Sequence, residues 1–438
     1  MSIRNTSLEE IKSRVDIEEV VSDFVSLKRK GQNLWACCPF HDEKTPSFSV
    51  SPTKGIFKCF GCGKAGDAIE FIKEIEGLNY IQAMRYLGKK YGIELDEEEE
   101  TPEDIAKQSF RESLFIILGY AKDYFHDQLL NQKEGQTIGL SYFKERGYNQ
   151  QIIKDFELGY SLDQWDGLLK EALSKGFQKQ TLIASGMVIQ KEEKIYDRFR
   201  GRVIFPIHNI TGKVIAFGAR TLKSDKGAKY INSPETEVYQ KSKVLYGLHQ
   251  GRNSIRQQDN CYLVEGYTDV ISLHLSGVPN VVASSGTSLT DDQIRLIKRY
   301  THNITVLFDG DPAGIKASLR GIDMLLESGA NVRVVEFPTG EDPDSYARKL
   351  GTDQFRRFLQ DSIIDFISYK TKLFLKESAG DPIAKANTIK EIVRSISRIP
   401  EALQRAVYIK QCSNLLEVDE SLLIGELNKL QLKSNGPE

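Results

Sequence analysis

Long apolar runs are missing from this chain. The stretch "LFIILGYA" (Leu114 to Ala121) falls far short of the roughly 20 residues a helical membrane span requires. The first 15 residues, "MSIRNTSLEEIKSRV", are charged and lack the apolar core of a secretory signal, so a cytoplasmic protein with no membrane attachment is expected. Cysteine is scarce, with six in 438 residues, and four of these (Cys37, Cys38, Cys59, Cys62) lie within 26 positions. A reducing compartment excludes a disulfide framework and turns that cluster toward metal binding. Cys261 and Cys412 sit in apolar or helical contexts and read as plain buried thiols. Net charge is nearly absent as well, at −2, which excludes a polyanion-binding argument for the chain as a whole. Locally the balance differs. From Lys194 to Arg256 there are 13 Lys and Arg against 4 Asp and Glu, a basic excess that favours a polyanionic partner.

The length implies two or three domains. The acidic run "ELDEEEETPEDIA" (Glu94 to Ala106) is self-repelling and reads as a solvated linker, placed at 95–108. It separates a β-rich, cysteine-bearing domain at 1–94 from a basic, mixed α+β region at 109–258. In the latter, "GRVIFPIHNITGKVIAFGAR" reads as a hairpin. From Cys261 onward four apolar strands each precede a helical pattern, which predicts βα units and a mostly parallel sheet at 259–345. Residues 346–438 read as helical. The fold class expected is therefore multi-domain α/β.

Two constellations carry chemistry. In "CCPFH" and "FKCFGCG", Cys38, His41, Cys59 and Cys62 form C-x2-H, 17 residues, then C-x2-C. Each knuckle presents two ligands to one point, as a tetrahedral Zn²⁺ requires, and no open position remains for catalysis. Cys37 competes with Cys38 for the first place but leaves a wider knuckle. The second constellation is a set of carboxylates at strand ends. "YLVEG" places Glu265 at one, "VLFDGDPAG" places Asp309 and Asp311 at another, and "VVEFPTGEDPD" places Glu341, Asp342 and Asp344 at a third. Ligands of open α/β sheets bind at such ends. If the strands are neighbours, the acids converge and need hard cations, Mg²⁺ above all. Taken singly, Asp311 would serve as a helix cap.

"LVEGYTD", "LFDGDPAG" and "GEDPD" resemble the three acidic motifs of the toprim fold. With "CPFHDEKTPSF", "YDRFRGRVIFPI", "GKVIAFGAR", "KYINSPET" and "LYGL", the chain is similar to the bacterial replicative DNA primases of the DnaG type. Thr268 and Ser285 depart from the family's usual Met and Leu, and neither is a carboxylate. The resemblance implies a zinc-ribbon-like domain, an RNA polymerase core whose Rossmann-like toprim sheet follows the basic subdomain, and a helical end. It implies synthesis of short RNA on single-stranded DNA from ribonucleoside triphosphates, with one structural Zn²⁺ and two or more Mg²⁺ for which Mn²⁺ can substitute. Asp309 and Asp311 would hold the Mg²⁺ ions, with Glu265 as ligand or general base and Asp342 and Asp344 assisting. Arg146, Arg198, Arg200, Arg202, Arg220, Lys229, Tyr230 and Lys241 would meet template or nucleotide. Arg198, Arg200 and Arg202 alternate and are expected on one face of an extended run. The family also implies a replicative helicase as partner, and a single-stranded DNA-binding protein at the replisome. Since the chain leaves no room for a further helicase-binding domain, a truncated, monomeric chain lacking it is expected. A toprim topoisomerase or nuclease is the alternative enzyme, and a zinc-bearing DNA-binding scaffold the alternative without catalysis. The first lacks a marked nucleophilic tyrosine, and the scaffold leaves the acids unexplained.

Overall fold

The alternation of short apolar runs and helical stretches after residue 260 becomes one five-stranded sheet. The computed structural model describes residues 2–434 except 4, 42, 96, 99–101, 224–226, 287, 309–311 and 378–380. Four strands of this sheet are parallel, in the order Val281–Ala283, Cys261–Val264, Asn303–Phe308, Asn331–Glu336, with Ile364–Asp365 antiparallel at the edge. The chain moves outward from Cys261–Val264 to Val281–Ala283, then crosses back to Asn303–Phe308 on the other side. The switch point therefore lies between Cys261–Val264 and Asn303–Phe308, where the helices leave on opposite faces and a crevice opens. The strands are rich in buried apolar residues, among them Val264, Ile304, Val306, Val332 and Val334, while Asn331, Arg333 and Glu336 of the last parallel strand are exposed.

The chain divides into two compact units, 1–109 and 110–438. In the first, a five-stranded antiparallel meander runs in sequence order through Lys28–Lys30, Asn33–Ala36, Phe48–Ser51, Ile56–Cys59 and Ala65–Gly66. Phe48, Phe57 and Phe71, the last from helix Ala68–Glu76, meet in its core at 5.3 to 5.9 Å between ring centroids. Each is buried and contributes about 1.5–3 kcal/mol of burial. The stretch expected to be a linker differs from expectation. Glu97–Glu98 pairs with Ser2–Ile3, and a 30-residue helix, Pro102–Asn131, begins inside it. Proline tolerates the first helical turn, and Glu103 and Asp104 suit the helix N-terminus, so acidity here favours a helix start.

In the second unit the expected hairpin is present. Arg202–His208 pairs with Val214–Thr221 inside a four-stranded antiparallel sheet completed by Tyr230–Asn232 and Gly159–Ser161. Gly218 has a specific reason to be glycine: a Cβ there would stand 2.3 Å from the Tyr267 ring. The last helices, Phe366–Glu377, Pro382–Ser397, Ala402–Leu416 and Glu420–Ser434, share a core with the parallel sheet. Ile392, Ile396, Ile409 and Cys412 pack in the same cluster as Ile304 and Val306. No helix among the described residues is long and apolar enough to cross a membrane.

Candidate metal centres and nucleic-acid interface

Cys38, His41, Cys59 and Cys62 present ligand atoms that all lie within 4.8 Å of one another. The Cys38 and Cys62 sulfurs are 3.8 Å apart, and Cys59 Sγ is 3.9 Å from His41 Nδ1. Around a Zn²⁺ with bonds of about 2.3 Å, the edge of a thiolate tetrahedron is about 3.8 Å, so the donor set fits the ion. Each knuckle turns a backbone N–H onto its first sulfur, from Phe40 to Cys38 and from Cys62 to Cys59, both at 3.4 Å. Cys37 is exposed and outside the cluster.

The sequence reading overlooked a residue beside this cluster, Glu43. Its carboxylate accepts the Cys38 N–H at 2.6 Å and the Ser47 hydroxyl at 2.5 Å, and lies 3.3 Å from His41 Nε2. A carboxylate on the outer imidazole nitrogen fixes the tautomer and leaves Nδ1 for a metal. The available signal was an acid two residues after the histidine in "HDEKTPSF".

In the parallel sheet, Glu265 directly follows Cys261–Val264 at the switch point and is exposed. Asp309 and Asp311 lie outside the described residues; the strand before them ends at Phe308 and the helix after them begins at Pro312. Another carboxylate that sequence reasoning passed over, Asp269, stands four residues beyond Glu265 and accepts the Gly266 N–H at 2.9 Å. Asp342 caps helix Pro343–Leu350 through Ser345 N at 2.6 Å. Glu341 is held by Lys349 and Ser345, each at 2.7 Å.

Asp344, expected to assist at a cation site, is held among polar partners inside the protein. It is only 2% exposed. One oxygen accepts from Ser272 Oγ at 2.6 Å, and the other is bonded by Arg146 and, at 3.2 Å, by Arg348. Arg146, expected to meet template or nucleotide, pairs with Asp344 and sets its guanidinium 4.9 Å from the Tyr142 ring centre.

The arginines of "DRFRGR" do not share a face either. Gly201 adopts φ +58° and turns the chain between strands Lys194–Asp197 and Arg202–His208. Arg198 Nε donates to Gly186 O at 2.7 Å, Arg200 lies over Trp165, and Arg202 donates to Ala228 O at 3.1 Å. Arg220, Lys229 and Tyr230 do come together. Arg220 donates to the Tyr142 and Tyr230 hydroxyls and lies over both rings, while its buried Nε has no partner among the described residues. Arg220 and Lys229 line a cleft of about 720 Å³ with Tyr142, Ser141, Thr137 and Lys223. Lys241 opens a short 3₁₀ turn, its N–H bonded to Glu235 at 3.0 Å.

A thiolate–imidazole cluster on a β-meander, and an acidic residue at the switch point of a parallel sheet, define a zinc-ribbon protein with a Toprim-type core. Comparison with known proteins agrees segment by segment. The chain matches the CHC2 zinc finger family over 3–103, the DNA primase catalytic core N-terminal domain over 124–252, and the Toprim-like family over 262–347. A DNA primase of Halalkalibacterium halodurans is 39% identical over 415 residues, covering 93% of this chain and 68% of the relative. One from Staphylococcus epidermidis is 36% identical over 441 residues, covering 99% and 73%. Among solved structures, the zinc-binding and RNA polymerase domains of Aquifex aeolicus primase align with TM-score 0.63 and 32% identity, over 97% of this chain and 99% of that one. A DnaG primase catalytic domain bound to single-stranded DNA aligns with TM-score 0.64 and 31% identity, over 72% and 99%.

The chain belongs to the bacterial DNA primases of the DnaG type, the DNA-directed RNA polymerases that make RNA primers for replication. One expectation is overturned by the same comparisons. Residues 379–421 match the DnaB-helicase binding domain of primase, so a helicase-binding segment is not missing. It escaped notice because its helices bury their apolar faces in the catalytic core's own cluster and read as part of that core.

Proposed function

We propose that the chain makes short RNA primers on single-stranded DNA, in the bacterial cytoplasm at the replisome, by Mg²⁺-dependent nucleotidyl transfer at the switch point of the parallel sheet. One observation carries the reading. The strands ending before Glu265, before Asp309 and before the 336–344 loop are adjacent and parallel, so their ends open on one edge. A ribonucleotide 3′-OH attacks the α-phosphorus of an incoming triphosphate, the new P–O bond forms, and pyrophosphate leaves. Glu265, Asp309 and Asp311 would hold two or more Mg²⁺, or Mn²⁺ in their place, with Asp342 assisting. Such ions, when bound, acidify the attacking hydroxyl and neutralise charge on the leaving phosphate. Glu265 is exposed at the edge and suited to accept the hydroxyl proton. Asp344 is not in this set.

Arg220 and Lys229 supply the cleft with charge for phosphates, and Tyr230 offers a ring to a base. Zn²⁺ on Cys38, His41, Cys59 and Cys62 joins the two knuckles of the first unit, which engages the template and the start site. The replicative helicase docks through 379–421, and the chain works as a monomer beside single-stranded DNA-binding protein. A priming assay on single-stranded DNA with labelled ribonucleotides and Mg²⁺ tests this, the intact chain against Asp309→Ala. Short RNA from the intact chain alone is expected. Nicking or relaxation of DNA without RNA would transfer the same acids to a nuclease or topoisomerase.

A further inference from the structure

Residues 379–421, the segment that matches helicase binding, have an outer and an inner face. On the outer face, Leu403 and Val407 stand one turn apart on helix Ala402–Leu416 and are 71% and 60% exposed. The inner face is tied to a helix of the parallel sheet. Helix Pro312–Glu327 begins directly after Asp311, and its Ile322 and Leu325 share a cluster with Ile392 and Ile396 of helix Pro382–Ser397.

Polar groups fix that contact. Ser395 is fully buried, and its hydroxyl donates to Asp323 Oδ1 at 2.7 Å. The same hydroxyl accepts from Lys370 Nζ at 2.6 Å, on helix Phe366–Glu377. Lys370 is only 4% exposed, and Asp323 and Glu391 supply the negative charge around it. Arg398, which ends helix Pro382–Ser397, lies 3.6 Å from the Asp323 carboxylate and pairs with Glu327 one turn further along. Asp323 thus balances two cations, one of them buried. Drawing helix Pro382–Ser397 away from Pro312–Glu327 would strip charge balance from a buried ammonium, so displacement of one helix carries the other. Pro312 lies about 16 Å along the helix from Asp323.

We propose that a helicase docked on 379–421 regulates the metal-binding edge of the sheet through Asp323, by fixing helix Pro312–Glu327 and with it the carboxylates that precede it in the chain. This rests on the reading that the helicase docks through 379–421. A partner on that segment and a divalent ion before the helix act on one coupled pair of helices, and by linkage each tightens the other.

Hydrogen–deuterium exchange of the full chain, alone and saturated with the replicative helicase, reads the transmission directly. Peptides from 382–416 and from 312–327 should both exchange more slowly with helicase, the latter by about 5-fold or more, while the hairpin 202–221 keeps its rate. In Asp323→Ala, slowing should persist in 382–416 and disappear from 312–327. Asp323→Asn still accepts from Ser395 and should retain part of it. By reciprocity, Mn²⁺ should tighten helicase binding to the parent about 5-fold or more, and not to Asp323→Ala. Slowing confined to 382–416 in the parent overturns the coupling and leaves docking intact. Equal slowing of every region, or of 312–327 in parent and Asp323→Ala alike, overturns the role of Asp323. Helicase affinity of the parent that ignores Mn²⁺ overturns the link to the metal-binding edge. No slowing in 382–416 overturns the docking reading and the proposal with it. The parent alone can refute the coupling, so misfolding of Asp323→Ala would not shelter it.

Discussion

Replacing Asp344 with alanine removes the carboxylate that balances Arg146. The aspartate side chain is 3% exposed and the arginine side chain 15%, so water cannot take the carboxylate's place. Breaking one side of a buried pair costs about 3–5 kcal/mol, because the remaining charge is left uncompensated. The Ser272 hydroxyl also loses its 2.6 Å acceptor, worth about 1 kcal/mol. At about 2–4 °C per kcal/mol for a large unit, the melting temperature should fall by roughly 8–24 °C. Thermal unfolding followed by tryptophan emission in a Trp35→Phe background reports this for unit 110–438, which holds Trp165. The double variant Asp344→Leu with Arg146→Met should regain most of the loss, since it buries no lone charge. A single Asp344→Ala variant that melts with the parent but no longer binds Mn²⁺ would refute this account and make Asp344 a metal ligand.

Two further outcomes are expected. Glu43→Gln should weaken Zn²⁺ retention by about 10- to 100-fold in competition with a chromogenic chelator; unchanged retention would mean that the His41 contact is incidental. Hydrogen bonding from His208, then Lys122, holds Glu157 down at about 2 from an ordinary 4.5. A depressed carboxylate stabilises the fold above pH 4.5 and loses that contribution as pH falls toward 2. The stability gap between the parent and Glu157→Gln, measured by urea unfolding, should therefore narrow across that window. A gap independent of pH would exclude the linkage.

What could be read from the sequence was local. The zinc knuckles close over two or three residues each, and their spacing alone brings four donors to one point. The strand-then-acid pattern is equally short-range, because a strand that ends in Glu265 carries that acid wherever the sheet is built. Apolar runs alternating with helical stretches required a parallel sheet, and the comparison with known primases agrees with the motifs that pointed there. Other features depend on partners far away in the chain. Arg146 and Asp344 are 198 residues apart, and nothing near either one marks a buried pair rather than a phosphate ligand and a metal ligand. The strand ends at Asp197 and Gly201 turns the chain at φ +58°, so Arg198, Arg200 and Arg202 meet three different surroundings, although their alternation reads as one face. The helices within 379–421 read as core because they share the core's apolar cluster. Spacing along the chain decides which groups can reach a common point. Burial and long-range pairing decide which charges remain available to a ligand, and those come only with the packed tertiary structure.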